Sequence, residues 1–397
     1  MKNLGILTVY EWKKLGKRKI LWVALAAAAV VEILVNCIFL MEHSELILTD
    51  ENGTNIVSES LGGFEKMMLE QTYARALDGR TVDDALLGET ADSMLQEKRH
   101  IVREYQEIFY LVSGVCFGDS GAVMTEADAF YQKWRERTEQ NLQETPGLTE
   151  GERAWWREKC GKIEVPFTYR YAFSWQRILQ CAAATTLLVM LLNAVCLSGV
   201  FSDEHVRRTD QLILCTQNGR RQVYTAKIIA GGLFGGACAL ILYGISFGIN
   251  FAVYGTEGYD AMIQQQIVWI PYPMTVGSAV MILFGLTLLA GVLEAVLAMV
   301  LSEQLGSSVA VMAVLVSITL INLLVSLPER WRVLSQMYEL FPMRLIADGS
   351  FYDCRLVPLP GGYLRNVCFA ALLYPALTVL LALIGRRSYQ RYQIKGR

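Results

Sequence analysis

The chain has 397 residues, 53% of them hydrophobic and 19% charged, with a mean hydropathy of +0.32. That is too apolar for an ordinary soluble domain, and the excess gathers in runs of about twenty residues, the length that crosses a bilayer. The net charge is −2, and the basic residues form no single face or stripe, so the composition carries no footprint of a nucleic-acid partner.

In chain order, the first stretch reads YEWKKLGKRKILW, where Leu7, Tyr10, Leu15 and Trp22 interleave with Lys13, Lys14, Lys17, Arg18 and Lys19. This pattern predicts a short interfacial helix over 1–19, held on the cytoplasmic side by the positive-inside bias. A first span follows at 20–41. It is too long for a signal peptide, and no small-residue cleavage site closes it. From 42 to 176 the chain turns charged and helix-forming, which predicts a mainly α-helical outer domain. One helix is expected where Met94, Ile101, Tyr105, Ile108 and Val112 recur, and a second over 127–143. A third opens at the capping box of Thr149 and Glu152 and stops at Gly161. The segment ends in an aromatic collar, Phe167, Tyr169, Tyr171, Phe173 and Trp175, expected to anchor at the membrane surface.

The remainder, 177–397, predicts five further spans at about 178–200, 228–254, 274–301, 308–327 and 367–384. A cytoplasmic loop over 201–227 and an outer amphipathic segment over 328–366, broken at Pro342, complete the layout. The fold class expected is an all-α integral membrane protein with six transmembrane helices and both termini in the cytoplasm. The pairs Gly232/Gly236 and Gly244/Gly248 mark faces where a neighbouring helix approaches closely.

Chemistry is sparse. No GxxxxGK[ST] loop, HExxH or GxSxG motif occurs, so no catalytic, cofactor or metal site is expected in this chain. The three histidines are isolated, and the nine cysteines form no CxxC pair. Two of them, Cys116 and Cys160, lie in the outer domain, where a disulfide and two thiols are both open readings. Four polar residues fall within apolar spans: Glu32 and Asn36 in the first, Asn193 in the second, Glu294 in the fourth. An intramembrane carboxylate is a functional hypothesis, and hydrogen bonding between helices is its equal rival. Asn193 and Glu294 lie at about the same depth, so contact between their helices would pair them.

The densest charge between two apolar runs is FSDEHVRRTDQLILCTQNGRRQVYTAKIIAG, residues 201–231. Its mixed apolar and charged texture suits a segment docking on another protein. The stretch resembles the cytoplasmic coupling helix of permease subunits in the ATP-binding-cassette type-two transporter family. Phe201, Glu204, Thr209, Leu212, Ile213, Arg220 and Lys227 stand where that pattern wants them, with Arg208 in place of a frequent glycine. The N-terminal stretch, with Glu11, Trp12 and Lys13, is similar to the family's elbow helix. The large outer domain resembles that of a Gram-positive subset. The resemblance implies an exporter in the plasma membrane. Its partners would be a cytoplasmic ATPase subunit, which binds the ATP and Mg, and a second permease chain, identical or related. Its cargo would be a peptide, lipid or drug. A membrane sensor whose outer domain binds a peptide is the alternative.

Overall fold

A computed structural model describes residues 2–49, 55–96, 100–116, 124–206, 219–328, 330–349, 351 and 353–391. The chain is mostly helical, and five helices are long and apolar enough to cross a membrane: Lys19–Met41, Phe173–Glu204, Arg221–Tyr254, Val276–Leu305 and Asn366–Arg391. Helices suit that solvent because each satisfies its own backbone hydrogen bonds. Ser308–Leu324 is also apolar but has only 17 residues. The protein is a membrane-embedded, multi-pass chain.

Two compact units make up the molecule. The first comprises Met1–Ile33, Cys181–Ser246 and Ile282–Arg397. It opens with α1 (Lys2–Gly16) and includes most of α2 (Lys19–Cys37) and α8 (Phe173–Leu197). A short helix α9 (Ser202–Val206) precedes a single π-helical turn at Gly219–Val223 and the long α10 (Tyr224–Tyr254). After α11 (Val276–Leu305) come α12 (Ser308–Leu324), the amphipathic α13 (Arg332–Glu339) and α14 (Asn366–Arg391). Pro342 opens a one-turn helix to Arg344, where its missing N–H costs nothing.

Glycine sets how closely α10 and α11 approach. A Cβ on Gly235 would lie 2.4 Å from the Gly291 carbonyl oxygen, and one on Gly231 would lie 1.9 Å from Met299 Sδ. The close-contact glycines are therefore Gly231, Gly235 and Gly291, one position off the expected set. Gly232 and Gly236 meet only ordinary contacts at 3.5 Å, and Gly244 and Gly248 face open space. Spacing of four locates a stripe on a helix but does not say which of two adjacent stripes is packed.

The second unit comprises Leu34–Gln180 and Phe247–Met281. It holds an antiparallel hairpin, β1 (His43–Thr49) with β2 (Asn55–Gly62), pairing Leu46 with Glu59 and shifting register before Ile47. Five helices follow: α3 (Gly63–Ala76), α4 (Asp84–Gln96), α5 (Gln106–Val115), α6 (Ala127–Glu144) and α7 (Glu150–Cys160). The single helix expected from Met94 to Val112 is two: Ile101 sits at a bend, outside both α4 and α5. The Thr149 capping box forms: Thr149 N–H donates to Glu152 Oε2 at 2.7 Å, and Glu152 N–H donates to Thr149 Oγ1 at 3.4 Å.

The aromatic collar is core rather than anchor. Phe167, Tyr169 and Tyr171 are each 3% exposed or less. Phe167 makes edge contacts with Phe130, Tyr131 and Trp134. Rings of this size bury enough area to organise a small domain, and that burial outweighs any preference for an interface. Cys116 and Cys160 share no disulfide.

Candidate functional site

Within the first unit, one buried cluster joins three segments far apart in sequence. Lys227, at the base of α10, is 1% exposed and sends its ammonium to two carboxylates. It donates to Glu11 Oε2 of α1 at 2.9 Å and to Glu204 Oε1 of α9 at 2.7 Å. Lys14, one turn beyond Glu11, donates to the same Glu204 oxygen. Two carboxylates and two ammonium groups thus form a neutral set. Burying charge is tolerable only when each is paired in this way. Burial alone would lower the Lys14 pKa, and the Glu204 carboxylate overrides it, holding the group above its ordinary value.

A second tie lies beside the first. Arg18 donates to Gly199 O and to Asp203 Oδ2, both at 3.1 Å. Ser302 Oγ of α11 accepts from the Phe201 and Ser202 N–H groups at 3.1 Å each and donates to Ser198 O at 2.6 Å. That hydroxyl fixes the bend between α8 and α9. The Lys227 ammonium also lies 5.5 Å from the Phe201 ring centroid, a cation–π distance. Phe201, Tyr224 and Tyr389 form a ring triangle with centroids 5.3 to 5.7 Å apart, which brings the far end of α14 into the cluster. Gly385 leaves room for it: a Cβ there would lie 2.2 Å from the Tyr224 hydroxyl.

Of the residues singled out in the sequence, Glu11, Phe201, Glu204 and Lys227 meet here. Trp12 and Lys13 point away and are exposed. Arg208, Thr209, Leu212 and Ile213 lie outside the described residues, as does the Arg220 side chain. Sequence reasoning missed Lys14, Arg18, Asp203, Tyr224, Ser302 and Tyr389. One signal was present: Glu11 and Lys14 are three apart, so they share a face of α1, and Asp203 and Glu204 offer the opposite charge. Glu303, next to Ser302, is 6% exposed and accepts from the Ser388 hydroxyl at 3.3 Å.

The intramembrane polar residues find partners within their own units. Glu32 accepts from Thr185 Oγ1 at 2.8 Å in the first unit. Asn36 accepts from Asn250 Nδ2 at 2.6 Å in the second. Asn193 Nδ2 donates to the Gly291 carbonyl at 3.0 Å, at the point where α10 and α11 touch, and is the polar neighbour of Glu294. Among the described residues no group of three or more His, Cys, Asp and Glu is placed to hold a metal ion.

The second unit holds a polar cavity of about 430 Å³, lined among others by Glu42, Lys66, Glu70, Glu107 and Arg177. Burial, and next the nearby Glu70 charge, push the Glu107 carboxyl up to about 7. Burial raises Glu70 as well.

No family model matches the chain, and no curated protein matches it.

Proposed function

We propose that this chain is the membrane permease of an exporter of the ATP-binding-cassette type-two class, moving a peptide, lipid or drug outward under the drive of a separate ATPase. The observation that carries the reading is the buried Lys227 bridge between Glu11 and Glu204. A soluble motor acts on a membrane chain only if its push reaches the spans. Here α1, α9 and the base of α10 are locked by ion pairs, so a push delivered to any one of them is transmitted to all three as one body.

Two further features support it. On α1 the apolar residues Ile6, Val9, Tyr10 and Trp12 are among those turned outward, 71%, 55%, 65% and 40% exposed, while Glu11 is turned in. A helix with its apolar face out and its acid in suits an elbow lying on a membrane surface. At 1.5 Å per residue the 17-residue α12 is about 25 Å long, close to the thickness of a hydrocarbon core, and it supplies a sixth crossing that returns both termini to the cytoplasm. The ATPase, with its ATP and Mg, is then a cytoplasmic partner, and a second permease chain completes the assembly in the plasma membrane.

The test is affinity purification of the tagged protein from its native membranes in mild detergent, followed by mass spectrometry. Recovery of a stoichiometric soluble ATPase is the expected result. Recovery of a kinase or peptidase without an ATPase would overturn the reading in favour of a sensor.

A further inference from the structure

Within the first unit a cavity of about 730 Å³ opens between α8, α11, α12, α13 and α14. Its walls are almost wholly aliphatic and aromatic, with Phe341, Phe369, Tyr374 and Leu377 among them, and they include no Lys, Arg or His. The volume falls in the range of sites for single drug-sized molecules, roughly 300–1,000 Å³.

The polar groups in the wall are one-sided. Each donor-bearing side chain already gives a hydrogen bond to a backbone carbonyl. Thr319 Oγ1 donates to Leu315 O at 2.9 Å, Asn322 Nδ2 to Ile318 O at 2.8 Å and the Tyr374 hydroxyl to Leu340 O at 2.9 Å. Asn193 hydrogen-bonds the Glu294 carboxyl, and what remains unpartnered is acceptor: Glu294 Oε2 and Asn322 Oδ1, on residues 8% and 5% exposed. A buried acceptor without a donor is costly, and a carboxyl in an apolar wall without a cation is the costliest of these.

From this donor deficit we infer that the cavity binds a lipophilic amine: an aromatic or alkyl body with one protonated nitrogen placed on Glu294. The ammonium supplies both the missing donor and the missing countercharge, and the body fills the apolar walls. The same walls argue against a phospholipid, because they offer its phosphate no cation and set the Glu294 carboxyl against it. The inference stands on the cavity alone and holds whether or not an ATPase partners the chain.

The test is equilibrium dialysis of imipramine against the full-length protein in lipid nanodiscs, with empty nanodiscs subtracted. Iminodibenzyl, the same tricycle without the alkylamine, is the control. Saturable binding of imipramine at one site per chain is expected, with iminodibenzyl much weaker. Glu294→Gln should weaken imipramine by about tenfold or more, the worth of one charge-assisted hydrogen bond. Leu377→Trp, which fills the cavity and leaves the carboxyl in place, should abolish binding. Variants that do not elute as the parent does on gel filtration are replaced by competition of parent binding with iminodibenzyl. Equal affinity for the two tricycles overturns the proposal. So do undiminished binding by Glu294→Gln and non-saturable uptake by the parent.

Discussion

Lys227 places its ammonium 2.7 Å from Glu204 Oε1 while only 1% of its side chain meets solvent. A buried pair of this kind adds little by itself, but removing one member strands a charge, at about 3–5 kcal/mol. Lys227→Met should therefore lower the melting temperature in detergent sharply. Lys227→Met with Glu11→Gln should recover part of the loss, because Glu204 keeps Lys14 and the charge left stranded is that of Glu11. A double variant no more stable than the single would show that the pair is not coupled.

Under the proposed permease reading, the same cluster predicts a separable defect. Glu204→Ala should leave membrane insertion intact and reduce the ATPase activity of the reconstituted complex that depends on the permease. Unchanged stimulated activity, with normal assembly, would remove the cluster from coupling.

Gly235 offers a packing test with an internal control. Its missing Cβ is 2.4 Å from a backbone oxygen, so Gly235→Ala forces α10 and α11 apart, at a cost of about 1–3 kcal/mol. Gly244→Ala meets nothing within 4 Å and should be neutral or slightly stabilising, since alanine is the better helix former. The comparison is read from melting temperatures of the two variants side by side.

In the second unit, Glu107 gives a pH dependence of definite sign. Its carboxyl is raised from 4.5 to about 7 in the folded protein, so the native state holds the proton more tightly than the unfolded one. Stability is greatest where both states are protonated and falls as pH rises through 7. The full span is on the order of 3 kcal/mol, from about 1.4 kcal/mol per unit. Hydrogen exchange of α5 should show protection declining over that range, and Glu107→Gln should flatten the decline. A decline that persists in the variant would assign it to another group.

Loss of the α7 cap is a mild and local change. Thr149→Ala removes the acceptor for the Glu152 N–H and should cost about 1 kcal/mol, seen as faster exchange confined to the first turn of α7.

Much of this architecture was legible in the residues. Apolar runs marked the five long helices, because twenty consecutive apolar side chains have few other uses. The Thr149 box marked the start of α7, since its two hydrogen bonds are local. What was missed is non-local or two-fold ambiguous. The β1–β2 hairpin passed for helix although the sequence between its strands, DENGT, carries an Asn-Gly pair of the kind that turns hairpins. The β3 (Leu356–Leu359) and β4 (Gly362–Arg365) pair was missed in the same way, despite Pro360 and Gly361 between its strands. At the candidate site, Glu204 and Lys227 were legible as charge in a polar loop. Their convergence on Glu11 was not, because nothing in a one-dimensional pattern says which loop a terminal helix meets.

That convergence also bears on how the chain is made. Glu11 and Lys227 are 216 residues apart, so α1 is made long before its principal partner is synthesised. Until then Glu11 has only its own helix and water to satisfy it, and closing so long a separation is slow. The nascent chain therefore carries α1 undocked through the synthesis of the entire second-unit segment that precedes α8. A biogenesis factor or protease that recognises an undocked amphipathic helix would have that whole interval in which to act, and the arrival of Lys227 would end it.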